Sequence, residues 1–247
     1  MPLYRDYFRR LYDTIESVME SQGVQIETAA DWMAASIASD GIVHIFGSGH
    51  SHMVAEEVFH RAGSLMPLNP MLDINLTFMG SVNATALERS SGYGRVVVAS
   101  HDIRPGEVVV VVSNSGVNPV PIEVALEART LGAQTIAITS DMYYRNAPSR
   151  HESGKRLAQV TDLVLDTQVP AGDALIEIPG SFARSGGVSS VIGISLINAI
   201  VVETADRLQK MGITPPIIPT MNLPGGDEAM AELVARYAAR LPLLKRA

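Results

Sequence analysis

Apolar residues recur along the chain with two different periods, and the change of period separates predicted helices from predicted strands. Residues 3–20 carry apolar side chains at three- and four-residue spacing, which predicts an amphipathic helix, and residues 28–39 predict a second one. The β-branched and aromatic residues 42–46 lie between two glycines, as is typical of a buried strand. Residues 53–62 return to a helical period that ends at Gly63.

The same order of strand, polar loop and helix returns about 60 residues further along the chain. The valine-rich residues 107–112 predict a strand, the sequence SNSGVNP follows, and residues 121–131 predict a helix. Residues 66–76 supply a candidate strand at a sheet edge, because Pro67 and Pro70 restrict its pairing. Further strands are predicted at residues 135–139 and 162–166, and further helices at residues 188–211 and 227–240.

Strands that alternate with helices predict an α/β fold with a parallel, doubly wound sheet. The length of 247 residues suits one domain that spans residues 1–247. We expect its core at about residues 28–212. Helical extensions flank this core, as an N-terminal helix at residues 3–20 and a C-terminal proline-rich segment with a helix at residues 213–247.

Composition and charge exclude several classes of protein. The chain has no cysteine, which excludes disulfides, thiolate catalysis and cysteine-bound metals. Its formal net charge is −7 and it lacks a basic cluster beyond Arg9 and Arg10, so we expect no nucleic-acid partner. No apolar run approaches the roughly 20 residues that a membrane span requires, and the N-terminus lacks the pattern of a secretory signal. We therefore expect a cytoplasmic protein without a membrane partner.

Two polar loops follow predicted strands and open predicted helices: GSGHSH at residues 47–52 and SNSGVN at residues 113–118. In an open parallel sheet, ligands bind beyond the carboxyl ends of the strands, where the strand order reverses. The first N–H groups of each helix favour an anion such as phosphate. We expect close backbone approach at the glycines and hydrogen-bond donation by the serines, namely Gly47, Ser48, Gly49, Ser51, Ser113, Ser115 and Gly116.

The residue types of these two loops also occur in other local structures and in other kinds of binding site. Ordinary helix caps and tight turns use the same residue types, so this alternative stays open for either loop alone. A dinucleotide site is not indicated, because GSGHSH lacks the third glycine, and a P-loop is excluded, because neither loop is followed by Lys-Ser or Lys-Thr. His50 and His52 have no neighbouring carboxylate or cysteine that would complete a metal site. We expect neither a metal nor a cofactor.

The motif FGSGHS before a helix and the motif VSNSGVN after a valine-rich strand together resemble the sugar isomerase (SIS) domain. The resemblance extends over most of the chain. Residues 162–174, the helix SSVIGISLINAI and the PGGDE tail resemble a bacterial, UPF0309-like branch of that superfamily. The resemblance implies a three-layer α/β/α sandwich around a five-stranded parallel sheet. It also implies homodimers or homotetramers in which residues cross into the neighbouring subunit's site.

A phosphorylated sugar is the ligand that this resemblance implies. The phosphate contacts of the family fall on residues that can donate hydrogen bonds: Ser48, Ser51, Ser113, Asn114, Ser115 and Asn118. Asn118 replaces the Thr or Ser that is common at its position, but an amide can still donate to phosphate.

Aldose–ketose isomerisation requires a base that moves a proton between C1 and C2. The positions that match the glutamate bases of SIS relatives are Ser185 and, approximately, Arg61, and neither is a carboxylate. Glu57 is therefore the predicted base, with His52 or His60 as the acid. The alternative roles are an ion pair of Glu57 with Arg61 at i+4 and packing of His60 on the helix face.

These features favour an aldose–ketose isomerase that acts on a sugar phosphate or an amino sugar phosphate. Two alternatives stay open. A non-catalytic sugar-phosphate sensor or regulatory protein would keep the phosphate site without the base. A phosphosugar lyase would cleave a lactyl ether, as some SIS relatives do.

A homodimer or larger assembly is also predicted from the first helix. Its apolar stripe is wider than a small N-terminal helix needs, although the stripe could instead pack on the chain's own sheet. The stripe consists of Leu3, Tyr7, Leu11, Ile15 and Val18.

Overall fold

The central sheet contains five parallel strands. A computed structural model describes residues 2–80, 83–145, 147–222, 224–241 and 243–244 of the chain. The strands are β1 (Val43–Gly47), β2 (Leu68–Met71), β3 (Val108–Val112), β4 (Gln134–Thr139) and β5 (Leu163–Asp166). Their order is β2-β1-β3-β4-β5, so the strand order reverses between β1 and β3. Strand β2 lies at an edge, as its prolines indicated.

Helices cover both faces of the sheet, and the predicted three-layer α/β/α sandwich is confirmed. The helices before β3 are α1 (Leu3–Ser21), α2 (Gly23–Ala38), α3 (His52–Val58), α4 (Ala84–Glu88) and α5 (Tyr93–Ala99). Those after β3 are α6 (Pro119–Thr130), α7 (Asp141–Tyr144), α8 (Ser189–Lys210) and α9 (Gly226–Tyr237). Helices α2, α3 and α8 pack on one face, and α5 and α6 on the other. No helix among the described residues could span a bilayer.

The helix expected at residues 53–62 is shorter than its periodicity predicted. Helix α3 ends at Val58, Phe59 is extended, and His60 has a positive φ of 50°. Phe59 packs with the apolar residues of the C-terminal segment, and the Gly63 N–H donates to the Ile218 carbonyl at 2.9 Å. The chain therefore leaves the helix early because the C-terminal segment offers it long-range packing.

Two further structures were not predicted from the sequence. Helices α4 and α5 occupy the stretch between β2 and β3. An antiparallel hairpin of β6 (Ala174–Ile176) and β7 (Ser185–Gly187) precedes α8. Strands of three residues are too short to show a period, and the connection of eight residues between them (177–184) is longer than a tight hairpin turn.

The apolar stripe of α1 divides between the core and the surface. Val18 is buried, and Tyr7 and Leu11 pack against the core on the face covered by α2 and α8. These three members of the predicted stripe therefore pack within their own chain. The other two, Leu3 and Ile15, are exposed, together with four neighbouring large apolar side chains on the same helix: Tyr4, Phe8, Tyr12 and Met19.

A buried polar network at the amino edge of the sheet centres on Glu107, directly before β3. Its carboxylate lies 3.0 Å from His44 Nε2 and accepts the N–H groups of Ile42 at 2.9 Å and Arg104 at 2.8 Å. Arg240, which follows α9, donates to it at 2.7 Å. Burial alone would raise the pKa of Glu107, but these donors outweigh burial and lower the pKa to about 2.

Two histidines continue this network through Asn69 of β2. The Asn69 amide donates to His44 Nδ1 at 2.9 Å and to His101 Nδ1 at 3.1 Å. The Nδ1 atom of each ring therefore accepts a hydrogen bond, and for His101 this is consistent with a neutral ring. Burial, with a smaller effect from His44, lowers the pKa of His101 to about 4. The network joins three strands to the segment that follows α9.

Candidate functional site

The two serine loops lie side by side at the carboxyl edge, because they follow the adjacent strands β1 and β3. In the first loop, Gly47 ends β1, Ser48 is buried, and residues Gly49–Ser51 form a short 3₁₀ turn before α3. The second loop, residues 113–118, leads into α6. This is the position where open parallel sheets bind ligands.

The second loop has occupied carbonyl groups and several free backbone N–H groups among the described residues. Its carbonyl groups accept hydrogen bonds from outside the loop: Asn114 from the N–H of Ser140, Gly116 from Leu157 and Val117 from Arg150, at 2.8 to 3.0 Å. In the described part of the chain, the N–H groups of Ser115, Val117 and Asn118 meet no acceptor. Free N–H groups that lie close together in one loop are available to bind an anion.

Gly116 is required for this loop conformation. Its φ is +59°, a region that residues with a Cβ rarely adopt, and a Cβ would lie 2.9 Å from Thr139 Oγ1. The loop conformation that frees the N–H groups thus depends on glycine at this position.

Helix ends supply fewer donors than the sequence suggested. Helix α6 begins with Pro119 and has Pro121 two residues later, and proline has no N–H. Helix α3 has only seven residues, so its dipole is small. An anion would therefore be held by the loop backbone and hydroxyl groups more than by the helix ends.

Hydroxyl groups add further hydrogen-bond donors to the anion site of the second loop. Ser113 is buried, and its Oγ accepts the Gly116 N–H at 3.3 Å, so its own proton is free to donate to a ligand. The half-buried Ser115 hydroxyl has no partner among the described residues. A narrow cleft beside these serines is lined by Ser51, Val54, Val112, Asn114, Ile138, Thr167, Ser189, Ser190 and Gly193.

Glu88, the last residue of α4, joins the two loops. Its carboxylate accepts a hydrogen bond from Ser48 Oγ at 2.7 Å and another from Asn118 Nδ2 at 2.8 Å. Neither Ser48 nor Asn118 caps the helix that follows it, so the alternative of ordinary helix caps does not describe these two side chains. Arg150 donates to Asn118 Oδ1 at 3.0 Å and brings a cation to the same cluster.

Glu88 and Arg150 are site residues that the sequence pattern did not indicate. Glu88 lies at the end of a helix and not directly after a strand, so the rule that places ligands after strands does not select it. Arg150 lies between α7 and β5, outside every helix and strand. Neither position carries a local motif, and both reach the site through tertiary packing.

The predicted catalytic residues lie at three different places. Glu57 forms an ion pair with Arg61 at i+4. His52 Nδ1 contacts the Gly49 carbonyl, and its Nε2 lies 3.5 Å from Glu56. His60 lines a separate cleft with residues of the C-terminal segment. Among the described residues, no group of histidines and carboxylates could hold a metal ion.

A family model described as SIS domain matches residues 6–140, and the chain therefore belongs to the SIS domain family. The UPF0309 protein GK1441 of Geobacillus kaustophilus is 39% identical over 243 residues, which are 98% of this chain and 97% of that protein. The resemblance to UPF0309-like bacterial proteins is thereby confirmed.

Solved structures show the same fold. Phosphoheptose isomerase GmhA from Neisseria gonorrhoeae matches with a TM-score of 0.55 and 18% identity, over 82% of this chain and 97% of that one. The sugar isomerase domain of the RpiR transcription factor from Sphaerobacter thermophilus matches with a TM-score of 0.51 and 16% identity, over 97% and 99%. One of these relatives is an enzyme and the other a regulator, so the fold alone does not choose between the two roles.

Proposed function

We propose that this chain binds a phosphorylated sugar at the carboxyl edge of its sheet and isomerises it between aldose and ketose, with Glu88 as the base. The observation that carries this proposal is the Glu88 carboxylate, which accepts hydrogen bonds from Ser48 in one loop and Asn118 in the other. Isomerisation of a sugar phosphate needs a base that is held in place beside the phosphate site. Glu88, oriented by two donors next to the second loop, has this arrangement.

The residues of the two loops have two roles in this proposal, phosphate binding and orientation of Glu88. The phosphate is held by the second loop and the adjacent first turn, at Ser51, Ser113, Asn114, Ser115 and Gly116. Ser48 and Asn118 were predicted as phosphate contacts, but here they orient Glu88, because a phosphate directly against a carboxylate would be repelled. Gly47 and Gly49 shape the first loop. Arg150 adds a positive charge beside Asn118.

Isomerisation then follows from proton transfer. Glu88 takes the proton from C2 of the open-chain aldose, the C–H electron pair forms the C1–C2 double bond, and the C1=O π electrons move to O1, which takes up a proton to give the enediol. O2 then loses its proton and forms the C2=O bond, while the C1–C2 π electrons take the proton back from the Glu88 carboxyl group at C1. Glu88 is partly exposed, so a sugar can reach it. His52 is the proposed acid for ring opening. The catalytic roles predicted for Glu57 as base and His60 as acid stay predictions. Neither role is assigned here, because Glu57 contacts Arg61 and His60 lines another cleft.

Substitution of Glu88 tests the proposal. A thermal-shift screen of sugar phosphates would identify a ligand, and NMR in deuterated water would measure exchange of its C2 proton. Glu88→Gln keeps the shape of the side chain and removes the base, so exchange should fall by about 10²- to 10⁴-fold. Affinity should stay within a few fold. Glu57→Gln is the matched control and should leave exchange unchanged.

Other outcomes would favour the alternatives. Ligand binding by the wild-type protein without exchange would refute the isomerase and support the sensor. Release of lactate from a lactyl amino sugar phosphate would identify the lyase. Loss of exchange in Glu57→Gln, with Glu88→Gln active, would return the role of base to Glu57.

We further propose that the active form is a homodimer formed through α1, or a tetramer built from such dimers. The exposed apolar side chains on this helix are flanked by Arg5 and Arg9 in its N-terminal half and by Glu16 and Glu20 in its C-terminal half. Antiparallel pairing of two α1 helices would place the basic half of one against the acidic half of the other.

Residues 1–247 are proposed to act as one domain, since the N-terminal and C-terminal helices both pack on the central core. The cytoplasm is the proposed location, because phosphorylated sugars are formed and consumed there.

A further inference from the structure

The turn that carries Glu88 is tied to α6 by a buried carboxylate. This turn, residues 88–94, joins α4 to α5 and is named the Glu88 turn. Glu123 of α6 is only 4% exposed. Its carboxylate accepts the N–H of Gly92 at 2.6 Å, the N–H of Gly94 at 2.8 Å and the hydroxyl of Ser91 at 3.2 Å. All three donors belong to the Glu88 turn.

Contact between the Glu88 turn and α6 is too close to rearrange easily. A Cβ on Gly94 would lie 2.5 Å from Glu123 Cβ and 2.6 Å from the Val120 carbonyl oxygen, so backbone and side chain meet directly. On the opposite side, Tyr93 donates to Asp73 at 2.6 Å. The Glu88 turn is thus held between α6 and the loop after β2.

Helix α6 therefore holds Glu88 in two ways. Asn118, directly before the helix, donates to the Glu88 carboxylate, and Glu123, on the second turn of the helix, holds the backbone that follows Glu88. A buried carboxylate is costly unless donors satisfy it, and here the donors come from the Glu88 turn. We infer that Glu123 is a positioning residue that places Glu88 against Ser48 and Asn118, an inference that rests on the proposed function of Glu88 as base.

Glu123→Gln separates positioning from general support of the fold. The amide keeps the volume of the side chain but turns an NH₂ group towards backbone N–H donors, so the Glu88 turn should shift. A displacement of about 1 Å at a reacting group can cost about 100-fold in rate, so we expect kcat to fall about 10- to 100-fold. KM should stay within threefold, because the phosphate loops are untouched. Glu127→Gln, one turn further along α6, is the matched control and should leave both constants unchanged.

Crystal structures of the wild type and of Glu123→Gln give a second measurement that needs no activity. The contacts of Glu88 with Ser48 and Asn118 should be broken in the variant. If both contacts persist, or if KM rises while kcat stays unchanged, the inference is overturned. If they break but the wild type shows no C2 exchange, the positioning role stands and the proposed function fails. If Glu123→Gln does not fold, Glu123→Asp replaces it in the same comparison. Aspartate keeps the negative charge on a side chain that is one methylene group shorter.

Discussion

Lowering the pH from 7 to 5 should weaken the fold through His101, whose ring is neutral in the network at the amino edge. In the unfolded chain its pKa is 6.5, whereas burial, assisted by His44, lowers the pKa to about 4 in the folded chain. Between these values the unfolded state binds more protons than the folded state. Stability therefore falls as the pH falls from 6.5 towards 4.

The size of this loss follows from the two pKa values of His101. They give a decrease in the free energy of unfolding of about 2 kcal/mol between pH 7 and pH 5, and about 3 kcal/mol once the pH is below 4. Glu107 affects the free energy of unfolding in a different pH range. Its pKa falls from 4.5 to about 2 on folding, so its contribution is lost only as the pH falls below 4.5. A comparison of pH 7 with pH 5 therefore isolates the histidine from the carboxylate.

Urea unfolding at pH 7 and pH 5 would measure the effect in the wild type and in His101→Gln. Glutamine does not titrate, and its oxygen can still accept the Asn69 amide. The wild type should lose about 2 kcal/mol more than the variant between the two pH values, with unchanged m-values. Equal losses in both proteins would refute the reasoning, because the remaining titratable groups are common to both.

Two further predictions concern the ligand and the assembly. Replacement of Ser113 and Ser115 together by Ala should weaken sugar-phosphate binding by about 2 kcal/mol, since two hydrogen bonds to a charged group are lost; unchanged affinity in calorimetry would remove these serines from the site. Phe8→Asp should convert the proposed dimer into a monomer in sedimentation, whereas Val96→Asp, at an exposed position of α5 on the other face of the sheet, should not. A wild-type protein that is monomeric at every concentration would contradict the proposed pairing through α1.

The layers of the fold and the position of the two serine loops could be predicted from the sequence because these features depend on local patterns. The valine-rich run of β3 is buried on both faces, and its composition indicates this directly. Glycine and serine after β1 and β3 are likewise visible as motifs. In a doubly wound sheet, the end of a strand is also a position in space, so these motifs predict the carboxyl edge as the site.

Only the tertiary structure placed Glu88 beside both loops and ended α3 at Val58. Glu88 does not directly follow a strand, and its place depends on the close approach of Gly94 to α6 and on the buried Glu123. These contacts join residues about 30 positions apart, and no local period records them. Helix α3, in turn, stops where Phe59 finds apolar partners in the C-terminal segment. Periodicity reports the surface that a segment must bury, whereas long-range packing decides which side chains meet.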